Sequence, residues 1–414
     1  MTTADERLLA QVRKGNTRRV ENMLDTGDAS VDGNGNCYSR PLLLAAKNGL
    51  VRMVKLLISK GADLEAFPLC GAREVNGEMS LLVQGARAVH FAGFYRQIAV
   101  LRLLLRAGAN PNAVDANDST PLLLTCRSPE KRLRAAAVRE LLQGGADPTL
   151  QNDVGNLPLH YAVLEGDTEV IHLLLEKAPL TLNHATKDGV TALCVAAEYG
   201  EEGALACFLA AGATNNASRC PLATAVANGH KHIVQRILSK KEWVEAVRGV
   251  AKIPGAAVNA LNKAQGMAAR TSREILHVLL SFEGEERRAH WANCSFDVAP
   301  LLYIAASWAN LAAASLLLAA GADEKAVDHV KGSTPREAIG MFLPSVERDL
   351  KAEAAITRAL ERGPAFRARS WAWPDFAALP LRNKNPPVDF IVRVFRPESR
   401  KFFVRMMWRH ASKQ

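Results

Sequence analysis

One segment of this chain keeps returning in altered form, and a chain that repeats itself at a fixed period folds as a stack of like units. The clearest copy is Arg40-Pro41-Leu42-Leu43-Leu44-Ala45-Ala46-Lys47-Asn48-Gly49, then Val54 to Ser59, then Gly61-Ala62-Asp63. It returns as Thr120-Pro121-Leu122 leading to Gly145-Ala146-Asp147, and as Leu157-Pro158-Leu159-His160-Tyr161-Ala162 leading to Leu173-Leu174-Leu175. A fourth copy runs from Thr191-Ala192-Leu193 to Gly212-Ala213-Thr214.

Each position has a physical reason. Thr ahead of Pro offers an oxygen to cap a helix, and Pro in the first turn gives up an N–H that has no partner there. Paired Ala lets neighbouring units approach closely. A second helix follows with its apolar run (Leu56-Leu57-Ile58, Leu103-Leu104-Leu105, Leu316-Leu317-Leu318), and Gly ends it in the left-handed conformation. From the Pro slot to this Gly is 20 residues for Pro41–Gly61, Arg7–Gly27, Ala192–Gly212 and Leu301–Gly321, with Pro300 moved into the Thr slot. Residues 264–284 keep the spacing covertly, with Ala268-Ala269, Leu276 to Leu280 and Gly284 in register. Ser80–Gly108 and Pro335–Gly363 span 28 and Pro121–Gly145 spans 24, which predicts insertions of 8, 8 and 4 residues between or beside the paired helices. Ala178 and Lys241 stand in the closing slot of two units. Eight of ten closing slots are still Gly, against a background of roughly 7%.

The unit resembles the ankyrin repeat, about 33 residues long with the signature T-P-L-H-x-A and two antiparallel helices. The resemblance implies an all-α fold, an ankyrin-repeat solenoid of about ten units over residues 7–363. Repeats are expected over 1–241 and 296–363. Residues 242–295 are read as a degenerate helical linker, from Trp243 to Ala256, followed by the covert repeat. The resemblance also implies a protein ligand on a concave face, touching the turn tips and the two positions before the Gly of the helix–helix turn. Carried over residue by residue, the helix positions are Lys47, Asn48, Leu164, Glu165, Glu198, Tyr199, Ala227, Asn228, Ser307 and Trp308. The turn positions are Asn117, Asp118, Asp153, Asn156, Lys187, Asp188 and Lys331. Tyr199 and Trp308 are the expected anchors, since aromatics dominate binding hot spots; packing of Trp308 against its own repeat is the alternative.

No constellation for catalysis emerges, and no catalytic residue, metal or cofactor is expected. His230-x-His232 has the look of a metal fragment, but Asn228-Gly229-His230 is the ordinary turn of the repeat and no third ligand has suitable spacing. His160 fills the His slot of the signature, where it ties adjacent turns by hydrogen bonds. Cys126, Cys194 and Cys207 fall on helix faces as small core residues. Phosphate-loop, dinucleotide and H-E-x-x-H motifs are all missing from the chain.

Charge separates the body from the tail. The net charge is +10, yet residues 361–414 hold 12 Lys/Arg against 4 Asp/Glu, leaving +2 for residues 1–360. Nine of the 24 aromatics lie in the same 54 residues, including Trp371, Trp373 and Trp408. Prolines 364, 374, 380, 386 and 387 make 364–387 an extended linker. In 388–414 apolar residues fall on even positions (Val388, Phe390, Val392, Val394; Phe402, Val404, Met406, Trp408), which favours a small β-hairpin module. A helix is the rival, because Lys401, Arg405, Arg409 and Lys413 recur every four residues. The apolar face of the module would cap the solenoid, while Arg393, Lys401, Arg405, Arg409 and Lys413 would meet an acidic surface.

The expected function is a non-enzymatic protein-interaction scaffold, built into a larger assembly through a second, basic contact. The alternatives are a ribonucleoprotein subunit touching phosphate through the tail, an adaptor recruiting cargo to an enzyme, and a microtubule-associated scaffold. Seven cysteines without a C-x-x-C pair, and no signal or transit pattern, are read as a reducing, cytoplasmic setting. The charge-free stretch from Val298 to Ala322 is expected to split into two short helices, not to span a membrane.

Overall fold

The computed structural model describes residues 4–33, 40–67, 85–214, 220–239, 266–281, 292–293, 295–296, 299–327, 332–339 and 350–362. It divides into two compact units, Met1–Gly249 and Val250–Gln414.

The described residues of the first unit form seven antiparallel helix pairs. They are α1 (Ala4–Arg13) with α2 (Thr17–Asp25), α3 (Pro41–Lys47) with α4 (Val51–Ser59), and α5 (Ala88–Phe94) with α6 (Ile98–Arg106). Next come α7 (Pro121–Arg127) with α8 (Arg134–Gln143), and α9 (Pro158–Leu164) with α10 (Thr168–Lys177). The series ends with α11 (Ala192–Tyr199) and α12 (Glu202–Ala210), then α13 (Pro221–Ala227) and α14 (Lys231–Leu238). First helices pack on first helices along the series α1, α3, α5, α7, α9, α11, α13, and second helices stack in parallel from α2 to α14. The paired alanines make this possible: Ala45, Ala46, Ala196 and Ala197 are fully buried between neighbours.

Helix starts follow the sequence logic. Proline opens α3, α7, α9 and α13. Thr120 Oγ1 accepts from the Leu123 N–H, and Thr191 Oγ1 from the Cys194 N–H, both at 3.3 Å. The closing glycines 27, 61, 108, 145 and 212 all hold positive φ, as required to turn the chain out of the second helix. Where Ala178 replaces Gly, the chain leaves α10 in an extended conformation and makes one 3-10 turn over Pro179–Asn183.

Gly200, in the turn between α11 and α12, is doubly constrained. Its φ is +71°, and a Cβ there would stand 2.6 Å from Nδ1 of His230, whose Nε2 hydrogen-bonds the Glu198 carbonyl at 2.9 Å. Gly200→Ala is therefore expected to lose about 1–2 kcal/mol to backbone conformation, with a further loss as the His230 ring is displaced. A urea titration followed by circular dichroism measures it.

Two length anomalies resolve differently. The unit closing at Gly108 does not begin at Ser80, which lies outside the described residues. Its first helix begins at Ala88, so Ala88 to Gly108 restores the 20-residue spacing and the extra chain precedes the pair. Arg87-Ala88 stands where Thr-Pro is usual, and this hid the register. The 4-residue insertion before Gly145 does lie between its helices, at 128–133, and ends on Leu133 with φ +63°.

In the second unit α15 (Gly266–Ser281) is one continuous helix of 16 residues, where the covert register expects a turn. The mid-turn slot falls at Ser272, which is buried inside the helix, and no glycine is there to break it. A two-residue antiparallel hairpin, Ser295–Phe296 with Ala299–Pro300, precedes α16 (Leu301–Ser307) and α17 (Leu311–Ala319). The last helix is α18 (Leu350–Arg362), and α17 packs against α15, α16 and α18. Burial from Ala312 through Leu318 explains the charge-free stretch as a helix enclosed by its neighbours. Among the described residues no helix is long and apolar enough to cross a membrane. Residues 363–414, with the linker and the basic hairpin or helix, lie outside the described residues, as do Lys241, Trp243 to Ala256, Gly284 and Lys331.

Candidate protein-binding face

Stacking places equivalent residues of successive units side by side, so one face of the first unit is built from helix ends and turn tips. The tips are shaped by a side chain that folds back on its own turn. Asp115 Oδ1 accepts from the N–H groups of Asn117 (2.9 Å) and Ser119 (2.8 Å), and burial raises its pKa against those hydrogen bonds. Asn152 Oδ1 does the same for the Val154 and Asn156 N–H groups. Successive tips are then laddered together. The Asp153 N–H donates to the Asn117 carbonyl at 3.1 Å, and Lys187 Nζ donates to the Asp153 carbonyl at 2.6 Å. Asp118, Asp153, Lys187 and Asp188 are exposed, and Asn117 and Asn156 half-buried. Asp118 holds φ +56° in a slot taken by Gly155 and Gly189 in the next two turns.

The helix ends form the second row. Lys47 closes α3 half-buried, with Nζ 5.4 Å from the ring centroid of Tyr95, and Asn48 beside it is exposed. Arg127 closes α7 and lies 6.0 Å from the Tyr161 ring. Leu164, Glu165, Glu198 and Tyr199 are half-buried at the ends of α9 and α11. Asn228 is exposed, and its Nδ2 donates to the Thr224 carbonyl at 2.9 Å, which ties the side chain to its own helix end. In the second unit Trp308 is half-buried after α16. Ser307 is not on a surface: it is fully buried and its Oγ donates to the Ile304 carbonyl.

Tyr95 was not legible as a member of this row. It occupies the slot of Asn48, Glu165 and Tyr199, but the following glycine is replaced by Arg96, which holds φ +56°. The signal available was Ala88 to Phe94 ahead of Gly108, spaced as Pro41 to Lys47 is ahead of Gly61. Tyr95 packs edge-on against Phe94, with ring centroids 5.2 Å apart.

The titratable groups near this face are committed to the stack. His160 Nδ1 accepts from the Leu157 N–H at 3.1 Å, so its proton sits on Nε2 and is shared with the Val190 carbonyl of the next turn at 3.3 Å. His90 makes the same pair of bonds, to the Arg87 N–H and the Ser119 carbonyl. Burial lowers both pKa values to about 4. His230 and His232 each meet a backbone carbonyl of the preceding unit, those of Glu198 and Gly200. Burial pushes the Cys126 thiol up to about 12, and Cys207 upward too, opposite to what a nucleophile needs.

A solenoid of helix–turn–helix units, joined tip to tip and presenting side chains at fixed intervals, defines a class of interaction protein. Ankyrin repeats match the chain, with three copies over residues 88–183 and one over 40–67. The chain is 31% identical over 242 residues to the E3 ubiquitin-protein ligase KEG of Arabidopsis thaliana, covering 55% of this chain and 14% of that protein. It is 32% identical over 180 residues to the Neurogenic locus Notch protein of Drosophila melanogaster, 43% of this chain and 5% of that one. The Ankyrin repeat and KH domain-containing protein mask-1 of Caenorhabditis elegans is 29% identical over 189 residues, 45% and 6% respectively. The chain thus spans between 5% and 14% of the length of these relatives. Residues 40–67 and 88–183 are ankyrin repeats, and such repeats are protein-interaction modules.

Proposed function

We propose that the chain is a non-enzymatic scaffold that holds a protein ligand on the face made by the helix ends and turn tips. The basic C-terminal segment adds a second contact within a larger assembly. The observation that carries the first half is the row Lys47, Tyr95, Arg127, Leu164, Glu198 and Tyr199: side chains in the two adjacent slots before the helix–helix turn of five consecutive units, each part-exposed. Aromatics and Arg in such a row are the residue types that anchor protein ligands. The second half is supported by the +8 of residues 361–414, with Arg393, Lys401, Arg405, Arg409 and Lys413 as its contacts.

Affinity purification with the intact chain and with residues 1–363, side by side, identifies ligands and assigns them to the repeats or to the tail. A ligand retained by 1–363 is then titrated against Tyr95→Ala and Tyr199→Ala. Loss of at least tenfold in affinity at Tyr95 or Tyr199, with unchanged melting, is expected. Retention of full affinity by both variants would sink the reading of this face. A ribonucleoprotein role instead predicts binding that needs the tail and weakens steeply with salt.

A further inference from the structure

Charge along the first unit is not mixed evenly. Residues 85–150 carry nine Lys/Arg and five Asp/Glu, net +4, whereas residues 151–214 carry two Lys/Arg and nine Asp/Glu, net −7. The boundary falls between α7 and α9, and the helix-end row follows it. Lys47 and Arg127 stand on one side, each against a tyrosine ring, and Glu198 on the other, where Glu165 is already paired with Arg134. The packing of α3, α5, α7, α9 and α11 in series keeps these charges in order along the stack.

We infer that the ligand of this face is a protein segment of divided charge, with an acidic block lying over Lys47 and Arg127 and a basic block over Glu198. The inference rests on the proposed ligand face and names the partner that face selects. Stacked helices stand roughly 9 Å apart, so the four steps from α3 to α11 cover roughly 36 Å. An extended peptide of roughly eleven residues, at about 3.3 Å each, spans that distance. Tyr95, in the second of these five units, and Tyr199, in the last, give such a segment apolar purchase. A polyanion such as nucleic acid fits only the end of Lys47 and Arg127, because Glu198 and the exposed Asp153 and Asp188 repel it at the other. Complementary potentials of this kind select partners and fix register more than they add raw affinity.

The test uses the full chain and labelled 14-residue peptides: acidic block then basic block, the reverse order, all-acidic and all-basic, each with the same two Leu anchors. At about 50 mM salt one of the divided peptides is expected to bind at least tenfold tighter than both single-sign peptides, and at about 500 mM salt the advantage should shrink to less than threefold. Lys47→Glu with Arg127→Glu should shift the preference to the all-basic peptide. Glu198→Lys, a change at the end of α11 that spares the first half, should move it toward the all-acidic one. An unchanged ranking in both charge variants, or a single-stranded oligonucleotide binding as tightly as the best divided peptide, overturns the inference. Binding that falls in Tyr95→Ala and Tyr199→Ala but shows no preference for divided charge overturns the polarity alone. A preference that survives both tyrosine substitutions overturns the ligand face beneath it.

Discussion

Arg134→Ala is expected to destabilise the first unit by about 3 kcal/mol, the low end of what breaking a buried ion pair costs. The guanidinium has no exposed surface at all, among the largest side chains so enclosed. It donates to the Ser128 carbonyl, and its Nη1 and Nη2 lie 3.1 Å from Asp167 Oδ2 and 3.4 Å from Glu165 Oε2. Alanine leaves two carboxylates facing one another across a hole, and a buried carbonyl without its donor. Glu165 and Asp167 keep 19% and 13% of their side-chain surface, so water relieves part of the loss. Arg134→Lys keeps the charge but not the fork that serves two carboxylates and a carbonyl, and should lose about half as much.

The manner of unfolding should change as well. Arg134 begins α8, its acidic partners lie in the following repeat, and Arg96 of the preceding repeat donates to Ser128 and pairs with Glu130. The insertion 128–133 is thereby clamped to three consecutive units. In a stack where each unit touches only its neighbours, weakening one interface divides the array. Arg134→Ala is expected to turn a single urea transition into two, read by circular dichroism, since no tryptophan precedes Trp243. A single transition with less than about 1 kcal/mol lost would contradict the clamp.

These particulars show what the sequence could and could not convey. The repeat was legible because local chemistry recurs at a fixed spacing: Pro opening the first helix, paired Ala between stacks, Gly at the exit. The 4-residue excess near 128–133 could be counted, but the burial of Arg134 could not, because its partners lie 31 and 33 residues away in the next unit. Tyr95 and His90 were hidden by two irregularities, Arg87-Ala88 in place of Thr-Pro and Arg96 in place of Gly. The continuous α15 was misread for the opposite reason: Ala and Leu kept the spacing while nothing at Ser272 forced the turn. Of the ligand face, the slots were legible from family geometry. Their exposure was not, as buried Ser307 demonstrates, because burial depends on what the next unit brings against them.

Mild acid should loosen the array between two of its joints. His90 and His160 each hold a neutral ring that accepts an N–H from its own helix start and donates to the carbonyl of the next turn. Protonation destroys the acceptor at Nδ1 and puts a charge where burial excludes water. The folded pKa is about 4 for each, below the unfolded value near 6.5. A group depressed on folding binds more protons when unfolded, so its stabilising contribution is complete above about pH 6.5 and is lost as pH falls toward 4. Each histidine accounts for about 3 kcal/mol over that window if nothing else relaxes. Urea midpoints of the intact chain should fall steadily between pH 7 and pH 4.5, while His160→Asn, less stable at pH 7, should show a slope about one-third to one-half shallower. Equal slopes for the two proteins would mean that the signature histidine joins adjacent turns without sensing acid, and that carboxylates elsewhere set the pH dependence.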